Sequence, residues 1–201
     1  MAREPTRGRS IALLLGGLAL LSCRKPDYFP LRDNLDLRFA AAGYEVVGSD
    51  SVRTESLTYA IAVAGSTTQP GLGRVWEIRV TRNAEPYLSL FLRKTTNAVF
   101  VLPRAQPDEI EPSSDWLKLI ELPPREGALW YGDAERSVSF EVLQRTDVET
   151  AAGRARNCFR IRIHADEPYL TDFWLAPDVG VIRWTRRLSA SRFEVAERVR
   201  R

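Results

Sequence analysis

The chain reads LTYAIAVAGSTTQPGLGRVWEIRVTR from Leu57 to Arg82, and the alternation in this stretch indicates the fold class. Two runs within it alternate apolar and polar side chains, and GSTTQPGLG separates them. A period of two is typical of half-buried β strands, and a segment rich in glycine, serine and threonine is typical of a hairpin loop. The stretch therefore predicts an antiparallel hairpin whose apolar face carries Leu57, Tyr59, Ile61 and Val63 on one strand and Trp76, Ile78 and Val80 on the other.

The same alternation continues on both sides of this hairpin. Leu35, Leu37 and Phe39 predict an earlier strand, and strand-like segments joined by short turns fill the C-terminal half. Short turns require antiparallel neighbours, because parallel strands need long crossover connections. The Pro-rich stretch 103–114 is interpreted as a loop or as a crossing between two halves of one sheet. We therefore predict a mainly-β domain, a curved antiparallel sheet or partial β-barrel of about 9–11 strands in a meander.

The first 22 residues differ from the rest of the chain. Arg3, Arg7 and Arg9 form a basic start, and an apolar run follows from Ile11 to Leu21. This run is too short to span a bilayer as a helix, but it has the length of the apolar core of a secretory signal. The sequence therefore predicts export from the cytoplasm.

The four residues Leu20-Leu21-Ser22-Cys23 resemble the lipobox of bacterial lipoproteins. The resemblance implies that the thiol of Cys23 carries a diacylglycerol, that cleavage occurs just before Cys23, and that the new amine is acylated. An ordinary signal peptide is the alternative, but Leu20 stands where such a cleavage site prefers a small residue. The chain then divides into a cleaved signal (1–22), a lipidated N-terminus and tether (23–30) and one β-rich domain (31–201).

The residue after the cysteine bears on localisation. Arg24 stands where, by the same resemblance, an aspartate favours retention in the inner membrane. We therefore expect attachment to the outer membrane through N-terminal acyl chains, with the domain on the periplasmic face.

The formal net charge is +3 for the whole chain and about +1 once the signal is removed. Because no basic face remains, the composition argues against nucleic-acid binding.

Three short patterns resemble a family of bacterial outer-envelope lipoproteins. Tyr28-Phe29-Pro30-Leu31 is similar to the family's opening "YFPL", residues 148–153 with Asn157-Cys158 are similar to its "V..PAG.F.NC" pattern, and residues 174–182 are similar to its "W.APGVGLV" hairpin. The resemblance implies a largely uncharacterised group dominated by antiparallel sheet, with an outline similar to the curved half-barrels of the LolA and LolB group. These are motifs of turns and packing rather than of chemistry.

Few residues of the kind that carry catalysis stand out. With Cys23 lipidated, Cys158 is a single thiol on a predicted strand, and we interpret it as a small buried hydrophobe, with a catalytic nucleophile as the alternative. The one histidine, His164, lies on the same predicted strand face as two arginines. No serine stands in a nucleophile-elbow pattern in which a histidine base could activate it. One histidine and one cysteine are too few for a zinc site. The sequence therefore predicts no catalytic residue, no metal and no cofactor.

Two groups of carboxylates keep an enzymatic alternative open. One lies in the Pro-rich loop and the other flanks a predicted hairpin: Asp108, Glu109, Glu111 and Asp115, and Asp166, Glu167 and Asp172. A pair of carboxylates at the right separation can act as acid and base on a glycan. Acidic loop residues are more often simply solvated.

Trp76, Trp174 and Trp184 are the candidate ligand-groove aromatics. Alternation places Trp184 on the same face as Ile182. Core packing is the default role of large rings on strands, but a curved sheet also leaves room for an apolar groove. The first hypothesis is a non-catalytic, lipid-anchored envelope protein that binds an apolar ligand such as a lipid, or an envelope protein partner. The alternative is an envelope hydrolase that uses carboxylates on glycan or ester substrates.

Overall fold

The computed structural model describes residues 25–103, 115–165 and 170–200. Within these ranges the chain forms twelve β strands and no helix. The strands are β1 (Asp36–Val47), β2 (Asp50–Gln69), β3 (Gly73–Arg82), β4 (Glu85–Lys94), β5 (Ala98–Pro103), β6 (Leu117–Glu121), β7 (Leu129–Tyr131), β8 (Ser139–Thr150), β9 (Gly153–His164), β10 (Leu170–Ala176), β11 (Gly180–Arg187) and β12 (Arg192–Arg198).

All twelve strands belong to one antiparallel sheet with the order β6-β5-β4-β3-β2-β1-β12-β11-β10-β9-β8-β7. β1 therefore pairs with both β2 and β12. The two ends of the order, β6 and β7, meet through the backbone. The Lys118 amide donates to the Gly132 carbonyl at 2.8 Å, and the Trp130 indole N–H donates to the Lys118 carbonyl at 3.2 Å. The sheet is thus a nearly closed barrel.

This architecture confirms the predicted mainly-β class and its antiparallel meander. The strand number is one above the upper end of the predicted range. β7 accounts for the difference, because it is only three residues long and shows too little alternation to be recognised. Across the described ranges, no helix is long and apolar enough to cross a membrane.

Alternating strand directions give the barrel two distinct rims. We call one of them the N-terminal rim; it contains residues 25–35 and the turns at 70–72, 95–97, 151–152 and 177–179. The opposite rim contains the turns at 48–49, 83–84 and 188–191. Every second connection along the chain therefore returns to the same end of the barrel.

The barrel interior is the main apolar core. Phe39, Tyr59, Ile78, Ile161 and Leu175, from five different strands, are at most 5% exposed. The apolar faces predicted for β2 and β3 lie on this inner side. Burying a side chain of this size contributes about 1.5–3 kcal/mol to folding. A smaller apolar cluster lies on the other side of the sheet, over β8 to β11, and contains Val148, Cys158, Trp174, Ala176 and Ile182.

Candidate functional site

The barrel interior holds a cavity of about 300 Å³ near the N-terminal rim. Its wall contains only apolar side chains and one glycine. Strands β1 to β6 contribute Leu37, Ile61, Ile78, Val80, Leu90, Leu92, Val101 and Leu119. Strands β10 and β11 with their turn contribute Phe173, Val179, Gly180, Val181 and Trp184. The N-terminal segment contributes Phe29, Pro30, Leu31 and Leu35. The indole of Trp184 carries the one N–H among these side chains, and every other lining side chain is a hydrocarbon, so the cavity favours hydrocarbon over water.

Strand register explains why this wall is uniformly apolar. Residues directly opposite each other in an antiparallel pair project to the same face. Three such cross-strand pairs line the cavity: Ile61 with Val80, Ile78 with Leu90, and Leu92 with Val101. The alternation seen in the sequence therefore assembles, strand by strand, into one continuous apolar surface.

A lysine clamps the N-terminal segment over this surface. Lys94, at the end of β4, donates from Nζ to both carboxylate oxygens of Asp27 at 2.6 and 2.7 Å. The same ammonium donates to the Phe29 carbonyl at 2.9 Å. These contacts fix the backbone just before Phe29, Pro30 and Leu31, so that the side chains of these three residues cover the cavity.

The β10–β11 turn holds the other side of the N-terminal segment. The Asp27 amide donates to Asp178 Oδ1 at 2.9 Å, and the Asp178 amide donates to the Asp27 carbonyl at 2.7 Å. Gly180 in this turn has φ +86°, and a Cβ atom there would lie 3.3 Å from Cδ of Pro30. A glycine therefore suits both the backbone conformation and the close approach of the segment.

Beyond the cavity, toward the opposite rim, β2, β3, β11 and β12 each carry an inward-facing polar residue. Tyr59 pairs with Arg82, and Arg186 pairs with Glu194. The Tyr59 hydroxyl donates to Glu194 Oε2 at 3.0 Å, while Nη2 of Arg186 and of Arg82 lie 3.4 and 4.0 Å from that oxygen. Burial, followed by the negative charge of Glu194, raises the pKa of Tyr59, so its hydroxyl remains a donor. We call these four residues the polar layer.

The structure places two of the candidate tryptophans in the interior. Trp184 lies in the cavity wall. Its ring centroid is 4.3 Å from that of Phe39 and 5.5 Å from that of Tyr59, so its ring borders both the cavity and the polar layer. Trp76 packs against the same core but is not part of the cavity wall. Of the two, Trp184 is therefore in a position to contact a ligand.

The third candidate, Trp174, lies on the outer face of the sheet. The guanidinium groups of Arg160 and Arg183 lie 5.1 and 5.4 Å from its ring centroid, one on β9 and the other on β11. Such contacts between a cation and an aromatic ring stabilise the packing of exposed strands. The structure therefore does not bring Trp174 together with Trp184.

A β-bulge changes the expected faces of β11. The prediction that Trp184 shares a face with Ile182 is wrong. Val181 and Arg183 pair with consecutive residues of β10, which leaves Ile182 as the extra residue of the bulge. Ile182 accordingly packs in the outer cluster, while Val181 and Trp184 both reach the interior.

The other reactive side chains of the described ranges lie away from the cavity. Cys158 is buried in the outer cluster, as the sequence predicts. Its burial, together with the negative charge of Asp147, raises the pKa of the thiol to about 11. His164 lies on the outer surface with Nε2 3.2 Å from Glu141 Oε2.

Two carboxylates of the enzymatic alternative fall within the described ranges. Asp172 is buried on the outer face, with Oδ2 3.0 Å from Arg160 and Oδ1 3.2 Å from Arg162. Asp115 is exposed. Asp108, Glu109, Glu111, Asp166, Glu167 and the predicted lipidation site Cys23 lie outside the described residues. Among the residues that the structure does describe, no group of three or more His, Cys, Asp or Glu side chains is placed to hold a metal ion.

Sequence reasoning missed the polar layer and the N-terminal clamp. Arg82 follows Trp76, Ile78 and Val80 with the same period of two, so a charged residue at an inward position was the available signal. The contact between Lys94 and Asp27 has no such signal, because the two residues lie 67 positions apart. The structure also places Tyr28, assigned to the tether, among the buried core residues.

The fold and the cavity together define a nearly closed antiparallel barrel with an apolar chamber beneath its N-terminal segment. No protein-family model and no curated protein sequence matches this chain. Among solved structures, the fold is similar to that of a protein from Parabacteroides distasonis ATCC 8503 described as a "putative lipoprotein". The match covers 86% of this chain and 97% of that chain, with a TM-score of 0.45 and 12% sequence identity.

Proposed function

We propose that this chain is a lipid-anchored protein of the bacterial envelope that binds one apolar acyl chain inside its barrel. Acyl chains on Cys23 hold it in the outer membrane, and its domain faces the periplasm. Its role is non-catalytic. The observation that carries the proposal is the cavity of about 300 Å³ whose wall contains only apolar residues.

The size and chemistry of the cavity favour a single hydrocarbon chain. Ligand sites in proteins commonly measure about 300–1,000 Å³, so this cavity is at the small end of the range. Each methylene group that leaves water contributes about 0.8 kcal/mol to binding. A wall whose side chains offer a single N–H group, on Trp184, cannot pair the many polar groups of a sugar or a nucleotide, which argues for a lipid tail.

The position of the cavity relative to the predicted anchor supports a lipid source. Cys23 lies four residues before Asp27, the residue that Lys94 clamps. Four extended residues span at most about 14 Å. A lipid on Cys23 would therefore hold the N-terminal rim close to the membrane surface, where acyl chains are abundant.

Native mass spectrometry tests the proposal. The predicted mature chain, residues 23–201 with Cys23→Ser, would be secreted behind a cleavable signal peptide and purified without detergent. We expect a reproducible added mass that extracts as lipid. A chain that carries no lipid and takes up none from added vesicles would contradict the proposal and direct attention to a protein partner.

A pair of matched substitutions locates the ligand. Val80→Phe fills space in the cavity wall, whereas Val52→Phe makes the same change at an exposed position near the opposite rim. We expect Val80→Phe to lower the fraction of protein that carries the added mass, and Val52→Phe to leave it unchanged. Equal occupancy in both variants would place the lipid outside the cavity.

A further inference from the structure

The polar layer lies directly next to the apolar cavity. Ile61 and Val80 form a cross-strand pair in the cavity wall, and Tyr59 and Arg82 form the next inward-facing pair on the same two strands. Two residues along a strand correspond to about 7 Å. On these two strands the polar layer therefore supplies the hydrogen-bonding side chains closest to the inner end of the cavity.

The same succession occurs on β11 and β12, which lie on the other side of β1 in the sheet. Trp184 pairs with Ala196 at the level of the cavity, and Arg186 pairs with Glu194 two residues further along. The contacts to Glu194 Oε2 join these strands, because Tyr59 and Arg82 reach it from β2 and β3 and Arg186 reaches it from β11. The polar layer is thus one connected cluster over the neighbouring strands β3, β2, β1, β12 and β11.

The charges of this cluster are balanced. Arg82 and Arg186 supply two positive charges. Glu194, which is 0% exposed, supplies one negative charge, and Glu55 supplies a second, with Oε1 3.7 Å from Arg82 Nη2. An anionic end group would add an unpaired negative charge beside the buried carboxylate of Glu194, which is unfavourable. The cluster therefore suits an uncharged end group.

The hydrogen bonds of the cluster are incomplete in a specific way. All contacts to Glu194 are made by Oε2, and its buried Oε1 has no hydrogen-bond partner among the described residues. The buried Nε–H groups of Arg82 and Arg186 also have none within the described ranges. One acceptor and two donors are thus unpaired, and buried polar groups in proteins are nearly always paired.

We infer that the ligand is an uncharged single-chain lipid with a hydroxyl head group, such as a long-chain alcohol or a monoacylglycerol. A hydroxyl group supplies one donor and two acceptor lone pairs. This matches the one acceptor on Glu194 and the two donors on Arg82 and Arg186. The chain lies in the apolar cavity and the head group lies at the polar layer. The inference rests on the proposed function, since it requires that the cavity binds an acyl chain.

Isothermal titration calorimetry with two ligands of equal chain length tests the head group. The predicted mature chain, residues 23–201 with Cys23→Ser, would be titrated at pH 8 with 1-dodecanol and with dodecanoate, which is ionised at that pH. We expect 1-dodecanol to bind at least about tenfold more tightly, a difference of about 1.4 kcal/mol. A lysophosphatidylcholine with a 12-carbon chain serves as a third ligand, whose charged head group should bind no better than dodecanoate.

Substitutions in the polar layer test the assignment of the head group. Glu194→Gln leaves the layer with an excess positive charge, so we expect the preference for 1-dodecanol to disappear and dodecanoate to bind more tightly. Glu197→Gln is the matched control, because Glu197 lies on the same strand but pairs with Arg183 on the outer face at 2.7 Å. Arg82→Met provides a second variant if Glu194→Gln does not fold, and we expect about fivefold weaker binding of 1-dodecanol.

The outcomes separate this inference from the proposed function. If dodecanoate binds as tightly as 1-dodecanol or more tightly, the hydroxyl head group is wrong while binding in the cavity stands. If both ligands bind equally and Glu194→Gln changes neither, the polar layer contacts water only and the inference is again wrong. If no ligand binds and native mass spectrometry also shows no lipid, the proposed function itself fails.

Discussion

The clamp formed by Lys94 can be tested by replacing it with methionine. Lys94→Met removes the ammonium that donates to both oxygens of Asp27 and to the Phe29 carbonyl. Methionine keeps an unbranched apolar side chain of similar length, so the change is largely confined to the charge and its hydrogen bonds. The variant therefore measures the contribution of the clamp itself.

The structure sets the magnitude of the expected effect. The side chains of Lys94 and Asp27 are 22% and 33% exposed, which places this pair between a surface ion pair and a buried one. Exposed ion pairs contribute about 0.2–1 kcal/mol, whereas a hydrogen bond to a charged group contributes about 1.5–3 kcal/mol. We therefore expect Lys94→Met to lower the free energy of unfolding by about 1–2 kcal/mol and the melting temperature by about 2–8 °C.

Hydrogen exchange shows where this stability is lost. The amides of Asp27 and Asp178 are both hydrogen-bonded within the clamped region, so we expect them to exchange faster in Lys94→Met than in the unchanged protein. Lys118→Met is the control, because Lys118 also forms an ion pair, with Glu121 at 2.8 Å, but lies at the β6–β7 junction. If the two variants have the same melting temperature and the amides of Asp27 and Asp178 stay protected in both, the clamp does not hold the segment and this reasoning is refuted.

Three further predictions concern packing and reactivity. Ile161→Ala removes a side chain that is 0% exposed, and urea denaturation should show a loss of about 2–5 kcal/mol. Gly132→Ala places a Cβ atom 2.8 Å from Cε2 of Phe140, so we expect the free energy of unfolding to fall by about 1–3 kcal/mol in the same measurement. Gly65→Ala is the control, because nothing lies within 4 Å of the added Cβ atom and no steric loss is expected. Burial raises the pKa of Cys158 to about 11 from its usual value of 9.0, so its alkylation at pH 8 should be at least about 100-fold slower in the folded protein than in urea, and an equal rate would show that the thiol is exposed.

Much of the fold was predictable because β strands express their faces directly in the sequence. The alternation of Tyr59, Ile61 and Val63 specifies an inner face, and the structure places all three against the interior core. Cys158 was assigned to a buried strand position for the same reason and lies there. Local periodicity is sufficient for such assignments, since each depends only on residues nearby in the chain.

The site was less predictable because it depends on partners that are distant in the chain. The bulge that turns Ile182 outward is a property of the pairing of β10 and β11 rather than of either sequence alone. The clamp joins Lys94 to Asp27 across 67 positions. The polar layer joins Tyr59 to Glu194 across 135 positions. Without the register of the closed sheet, nothing in the sequence indicates that these residues meet.

The pairing of the first strand with the last has a consequence for how the protein folds. β1 obtains its second neighbour only when β12 is present, and until then it has an unpaired edge. Sheets dominated by contacts between distant residues fold slowly, and exposed strand edges on incomplete barrels promote aggregation. The two halves of the sheet, β1 to β6 and β7 to β12, therefore join in a late step, once the last strand is available. During that interval the unfinished chain depends on protection from its surroundings.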